Sequence, residues 1–221
     1  MNETKNENRA PLPEPTLRRL PWYLAYVKML DGQGVEYVSS THISKALSVD
    51  ASQIAKDLSF LNIKGKTRIG YEVHSLTTTL ADFLGFTMHH NAVVIGVGSL
   101  GRALISDVGL SQYGLKIVAG FDINSSLVGT TIENVQIYHV DKIKQWQQKY
   151  HADIAILAVP VEHAQQVANL VIASGINALW NFTPVRIKTP PEVAIANTSI
   201  YAHLAIIYNR MNANSGDYDK E

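Results

Sequence analysis

The sequence predicts an α/β chain: an N-terminal winged helix-turn-helix, then a Rossmann-type doubly wound parallel sheet. Three observations carry this. The segment "VVIGVGSLGRAL", Val93–Leu104, sets three glycines, Gly96, Gly98 and Gly101, between a β-branched run and a helix-like stretch. From Asn91 onward short apolar runs alternate with longer mixed segments, the pattern of a parallel sheet covered on both faces. Ahead of them lie three short helix-like stretches and a basic, glycine-punctuated hairpin, the order of a winged helix.

The front elements follow from periodicity and caps. "TLRRLPWYLAYVKMLDGQG" carries Leu20, Leu24, Val27 and Leu30 as a helical stripe ending at Gly32 or Gly34, with Pro21 expected in its first turn. "SSTHISKAL" opens with hydroxyl caps and predicts a second short helix. In "VDASQIAKDLSFL", Asp50 is the expected N-cap, Gln53 stands at capping-box spacing, and Ile54, Leu58 and Leu61 face inward. "NIKGKTRIGYEV" reads as the wing and "SLTTTLADFLGF" as a closing helix. In the rear part strands are expected at Ala92–Val97, Leu115–Phe121, Asp153–Val159, Ala178–Phe182 and Val193–Ala196. Helices are expected at Leu100–Asp107, over "KIKQWQQKY" and at Glu162–Ala173, and the tail "NANSGDYDKE" is expected to fray.

Composition narrows the function classes. A hydrophobic content of 46% and a charged content of 17% fit a soluble globular chain. The formal net charge is zero, so binding to nucleic acid has to come from a local basic patch. The absence of cysteine excludes disulfides, thiolate metal sites and cysteine nucleophiles, and fits a reducing cytoplasm. "MNETKNENRAPLPEP" has no apolar signal core, and no apolar run reaches the roughly eighteen residues of a membrane span. The eight histidines show no zinc spacing, and the adjacent His89 and His90 do not share a helix face. A cytoplasmic chain with no membrane and no metal is expected.

The glycine loop has the context that dinucleotide binding requires: a strand before it, a helix after it, and Asp122 about twenty residues on. Gly96 would allow the tight turn, Gly98 the close approach of a pyrophosphate, and Gly101 close helix–strand packing. Ser99 and Leu100 sit where helix N-terminal amides receive negative charge. Asp122 would accept hydrogen bonds from ribose hydroxyls and repel a 2′-phosphate, favouring NAD(H) over NADP(H). His163, in "AVPVEHAQQ" at the end of a strand, is the best catalytic candidate, and a small NAD-dependent oxidoreductase is the alternative function. Yet no substrate domain follows, no catalytic constellation is found, and a solvated histidine at a helix start is the favoured reading.

The front half supplies a different partner. The second helix of the turn would present Ser52, Gln53 and Lys56 to a major groove, Gln53 toward an adenine edge and Lys56 toward a guanine or a phosphate. Lys64, Lys66 and Arg68 surround Gly65 and Gly70 in the wing, placed for phosphates or the minor groove. Between Gln53 and Tyr71 these lysines and this arginine face one acid, Asp57, while Arg18 and Arg19 add charge near the first helix.

The segments "PEPTLRRLPWYL", "VSSTHISKALSVDASQIAKDLS", "GYEV", "GVGSLGRAL", "FD", "ILAVP" and "NFTPV", in this order, resemble the Rex family of redox-sensing transcriptional repressors. The resemblance runs from about Leu12 to Arg210. It implies a homodimer that is not an enzyme: a DNA-binding winged helix over residues 1–85, a domain over 86–196 that binds NADH, and a dimerising C-terminal helix and tail over 197–221, the helix exchanged between subunits. It also implies that NADH and NAD+ are sensed ligands, and that NADH releases double-stranded operator DNA. Carried onto this sequence, Gly96, Val97, Gly98, Ser99, Leu100, Gly101 and Asp122 would hold the cofactor. Val159, Pro160, Asn181, Thr183 and Pro184 would line the nicotinamide side, and Ile200–Arg210 would be the exchanged helix. The sequence also departs from the family. Many relatives have two adjacent basic residues before D-L-S, where this chain has Ala55 and Lys56. An arginine, a tyrosine and an aspartate with which relatives distinguish two dimer arrangements are here Ala25, Asp107 and Ser199, so the resemblance implies a switch through other contacts.

Overall fold

The chain enters α1 (Glu14–Gly32) through Pro13 at the N-cap and Pro15 in the first turn. This corrects the expectation for Pro21, which lies inside the helix. A ring nitrogen there cannot donate to the carbonyl of Leu17. Burial of Leu20, Tyr23, Leu24 and Val27 on one face keeps the helix continuous across that gap. The computed structural model describes residues 12–61 and 63–215. Residues 1–11, residue 62 of the expected wing segment and 216–221 of the tail lie outside them; the start of that tail, Asn212–Ser215, expected to fray, instead continues the last helix.

The chain divides into two units, Met1–Met88 and His89–Glu221. In the first, β1 (Tyr37–Val38) leads to α2 (Ser40–Leu47), α3 (Ala51–Ser59), β2 (Tyr71–Glu72) and α4 (Val73–Phe83). Helix α4 starts earlier than its sequence signal because the Glu72 carboxylate caps it, accepting from the amides of His74 and Ser75. Asp50 caps α3 as expected, accepting from the amides of Ser52 and Gln53. Strands β1 and β2 pair antiparallel, and Lys66 and Gly70 bridge across the base of the wing turn. Gly70 sits at φ +113, and a Cβ there would lie 2.4 Å from the carbonyl oxygen of Val38, so the wing closes only on glycine. Ile43, Ile54, Leu58, Leu76 and Leu80 pack against the α1 stripe in one core.

The second unit runs β3 (His90–Ile95), α5 (Ser99–Ile105), α6 (Gly109–Gln112), β4 (Leu115–Asp122), β5 (Thr131–Ile132), β6 (Val135–His139), α7 (Ile143–Tyr150), β7 (Ile154–Leu157), α8 (Ala164–Ala173), β8 (Ala178–Asn181), β9 (Ala194–Asn197) and α9 (Ile200–Ser215). The sheet order is β5-β6-β4-β3-β7-β8-β9, parallel throughout except for β5. Numbered along the chain, the parallel strands stand in the order 3-2-1-4-5-6 of dinucleotide-binding sheets. Val93, Ile95, Phe121 and Leu157 face one core with Ile143, Trp146 and Val171, while Val94, Ile137 and Ile156 face the other with Ile105.

Strands β5 and β6 and the short α6 had no sequence signal. The β5–β6 turn is made by Glu133 and Asn134, both at positive φ, as a two-residue hairpin requires. A glycine pair there would have announced the hairpin; Glu-Asn hides it. Helix α9 stands open to solvent: every residue from Ile200 to Ala213 is exposed, including Tyr201, Ile206, Ile207 and Tyr208.

Candidate functional site

In the rear unit the strand order reverses between β3 and β7, and the glycine loop follows β3 at that point. Gly96 has φ +90, and a Cβ there would lie 2.5 Å from the carbonyl oxygen of Ala158 and 2.9 Å from Cγ1 of Val159. The loop after β3 therefore rests directly on the loop after β7, which brings Val159 beside the glycines. A Cβ on Gly101 would lie 2.0 Å from the carbonyl oxygen of Gly96, so the first turn of α5 closes only on glycine. Gly98 differs, since a Cβ there would meet nothing within 4 Å. Of the three glycines, Gly96 and Gly101 are hemmed in by protein, and Gly98 faces open space. Ser99 and Leu100 begin α5, where the helix itself offers their amides no acceptor.

Asp122 ends β4 beside this loop. Its Oδ2 accepts from the amide of Val97 at 2.7 Å and its Oδ1 from the amide of Asn124 at 2.8 Å. The carboxylate thus fixes the loop, and each oxygen keeps a second lone pair for a hydroxyl donor. The amide of Val97 is already engaged, which leaves those of Gly98, Ser99 and Leu100 to meet an anion. This donor set and the open space at Gly98 fit the adenosine and pyrophosphate of a dinucleotide.

Asn181, at the end of β8, and Thr183, in the loop that follows, are buried rather than presented to a crevice. Asn181 Oδ1 accepts from the amide and the hydroxyl of Thr183, and its Nδ2 donates to the carbonyl of Val185 and to Asn197 Oδ1. Its side chain frames the loop, while Pro184 is exposed, as is Pro160 after β7. His163 lies exposed in the 3-10 turn that precedes α8.

In the front unit, Lys56 on α3 and Lys64 and Arg68 in the wing are exposed. Lys66 is exposed too, but its ammonium donates to the Tyr37 hydroxyl and lies 4.7 Å from that ring's centroid, tying the wing to β1. Ser52 turns its hydroxyl back to Asp50, and Gln53 Nε2 donates to Asp57 Oδ1 at 2.8 Å. Of the α3 residues expected to reach outward, Lys56 alone carries its polar group clear of the protein's own bonds.

Asp57 is the residue that sequence reasoning passed over. It is fully buried and accepts from Arg19 Nε at 2.7 Å, Arg19 at a second nitrogen at 2.8 Å, Tyr23 at 2.8 Å and Thr16 at 3.0 Å, besides Gln53. Burial pushes its carboxyl up, and the bonds from Arg19, Tyr23, Gln53 and Thr16 outweigh this and hold it below the usual carboxylate range. Neither Asp57 nor Arg19 belongs to the surface charge balance: each neutralises the other between α1 and α3. Nothing in a single sequence pairs residues 38 positions apart.

A family model described as "Putative DNA-binding protein N-terminus" matches residues 11–59, and one described as "CoA binding domain" matches residues 87–185. A redox-sensing transcriptional repressor Rex from Bacteroides fragilis is 54% identical over 213 residues, covering 96% of this chain and 97% of that protein. The chain belongs to the Rex family of redox-sensing transcriptional repressors. Among solved structures, the Rex-family repressor RSP in complex with β-NAD+ and operator DNA has a TM-score of 0.88 at 31% identity, covering 96% of this chain and 97% of that one. RSP in complex with β-NADH has a TM-score of 0.86 at 31% identity, covering 96% and 100%.

Within this Rex-family chain two of the three departures, Asp107 and Ser199, have local roles. Asp107 caps α6, accepting from the amides of Gly109 and Leu110. The Ser199 hydroxyl accepts from the amide of Ala202 in the first turn of α9. Ala25 is exposed on α1.

Proposed function

We propose that a homodimer of this chain represses transcription by holding double-stranded operator DNA through α3 and the wing, and that NADH at the glycine loop releases it. Occupancy of the operator then follows the NADH/NAD+ ratio. The observation that carries this reading is the open space at Gly98, in a loop whose preceding amide Asp122 holds, on the same chain as a helix-turn-helix with Lys56 exposed. The RSP complexes with β-NAD+ and operator DNA, and with β-NADH, support it. When bound, the nucleotide brings a pyrophosphate charge and ribose hydroxyls. The residues assigned to hold it are Gly96, Val97, Gly98, Ser99, Leu100, Gly101 and Asp122, with Val159, Pro160 and Pro184 beside the nicotinamide and Asn181 and Thr183 framing that side. The Asp122 carboxylate disfavours any ribose phosphate, whether the 2′-phosphate of NADP(H) or the 3′-phosphate of coenzyme A.

Ser52 and Gln53 are assigned to the groove-facing end of α3, Lys56 to a phosphate or guanine, and Lys64, Lys66 and Arg68 to the backbone beside the wing. The working division is a DNA-binding part at 1–85, a nucleotide-binding part at 86–196 and a dimerising part at 197–221, with α9 as the joining element. No described helix is long and apolar enough to cross a membrane. A cytoplasmic, non-enzymatic role is proposed because the relatives are named repressors and their partner is DNA. The oxidoreductase alternative gains nothing from His163, which stands exposed with no paired acid or base among the described residues.

The test is operator binding by fluorescence anisotropy at fixed salt, across NADH, NAD+, NADPH and coenzyme A. NADH is expected to weaken DNA binding, and DNA to weaken NADH binding by the same factor. Identical DNA affinities with and without NADH would remove the sensor function. Lys56→Ala is expected to weaken operator binding across all salt concentrations. If Lys56 meets a phosphate, it also lowers the slope of log affinity against log salt by about one.

A further inference from the structure

We propose that the Asn181 amide is the positioning link between the nucleotide crevice and α9. It would transmit displacement of the Thr183–Val185 loop to the strand end from which α9 departs. The proposal rests on the reading that NADH occupies the crevice and that α9 joins the subunits.

The geometry is specific. Asn181 closes β8 and stands in register with Asn197 at the end of β9, three residues before α9 begins. It is fully buried, and its amide has no unused capacity. Oδ1 takes the Thr183 amide at 2.9 Å and the Thr183 hydroxyl at 2.7 Å, while Nδ2 gives to the Val185 carbonyl at 2.7 Å and to Asn197 Oδ1 at 2.9 Å. The same strand ends are joined twice more. The Thr198 amide donates to the Asn181 carbonyl at 2.8 Å, and the Trp180 indole donates to the Thr198 hydroxyl at 2.9 Å. Ser199, the next residue, caps α9.

A loop held only by shape could shift without consequence at β9. Here a shift in the Thr183–Val185 loop must either carry Asn181 and Asn197 with it or leave a buried polar group unpaired, and the second is costly. The network also places the coupling where this chain needs it. Ser199, at one of the positions that departs from the family, bonds only within its own helix start. The route to α9 therefore runs through the neighbouring Asn197 and Thr198.

The experiment uses the full-length protein with Asn197→Ala and Thr198→Val, separately and together. Asn197 is exposed and Thr198 half-buried, and neither belongs to the nucleotide-holding set. Three affinities are measured: operator DNA alone, NADH alone, and operator DNA at saturating NADH. The first two are expected to stay within about twofold of wild type. The factor by which NADH weakens DNA binding is expected to fall about fivefold or more in the double variant, within the usual span of such couplings. Thr198→Ser, which keeps the hydroxyl, is expected to retain wild-type coupling. An unchanged coupling factor overturns the proposal. So does an equal loss of both affinities with coupling preserved, since that is the mark of a purely structural role. Failure of the parent reading is separate: wild-type protein would then show no NADH effect on DNA at all.

Discussion

Asp57→Ala is expected to destabilise the DNA-binding unit by about 3–5 kcal/mol, the range for removing one partner of a buried ion pair. The substitution leaves the Arg19 guanidinium facing a cavity at the junction of α1 and α3 and strips the Thr16 and Tyr23 hydroxyls of their acceptor. A small domain is stable by only about 5–15 kcal/mol, so a large part of its folding free energy goes. The urea midpoint of this unit, followed by circular dichroism, is expected to drop sharply and operator affinity to fall with it. NADH binding by the rear unit is expected to stay near wild type. Asp57→Asn keeps one acceptor and is expected to fall between the two. The pH dependence has a definite sign. Asp57 is held below its ordinary value of 3.8, so its contribution is complete above that pH and is lost as pH falls further. Tyr23 is pushed up to about 12, by burial first and then by the Asp57 bond. Its contribution is complete below its ordinary value of 10.0 and is lost as pH climbs toward 12. Relative to Asp57→Asn, the wild-type advantage is expected to be flat between these limits and to shrink beyond both. An advantage independent of pH down to strongly acid conditions would mean that the carboxylate is not the stabilising form.

How much of this was legible in the sequence depends on the range of the interaction. The glycine loop, the Asp50 cap and the apolar runs of β3, β4, β7, β8 and β9 are local signals, set by φ, by an N-cap oxygen and by side-chain pattern, and a single sequence carries them. Pro21 misled because two prolines already served the start of α1, and the burial of its neighbours overrode the rule for the third. Strand β6 was missed because only Val135 and Ile137 point inward and its hairpin turns on Glu133 and Asn134 without glycine. That strand is what completes the 3-2-1-4-5-6 order, so the sheet's most diagnostic feature was invisible from composition. The Asp57 and Asn181 networks were missed for a deeper reason. Each joins residues distant in the chain, and Asp57 reads as surface charge until Arg19 is seen beside it. Residues assigned to a ligand by family position, such as Asn181, can in the fold be supports for it.

Gly98→Val is expected to produce a repressor that holds its operator and ignores NADH. The backbone at Gly98 is extended with a negative φ of −72, so no glycine-only conformation is needed, and the added Cβ meets nothing within 4 Å; thermal stability and DNA affinity are expected to match wild type. The valine then occupies the space through which a pyrophosphate would reach the loop amides. Overpacking of this kind costs about 1–3 kcal/mol or more, so NADH affinity measured by titration is expected to fall by about tenfold to over a hundredfold. Its neighbours in the motif should fail in a different way. Alanine at Gly101 would put a Cβ 2.0 Å from the Gly96 carbonyl oxygen, and alanine at Gly96 would put one 2.5 Å from that of Ala158 at a strained φ of +90. Both collide with the protein's own backbone, so both are expected to lower the melting temperature of the rear unit before any ligand is added. Three glycines at motif spacing therefore separate into two that the fold requires and one that only a ligand requires. If Gly98→Val releases DNA on adding NADH as readily as wild type, the ligand approaches the sheet somewhere other than this loop.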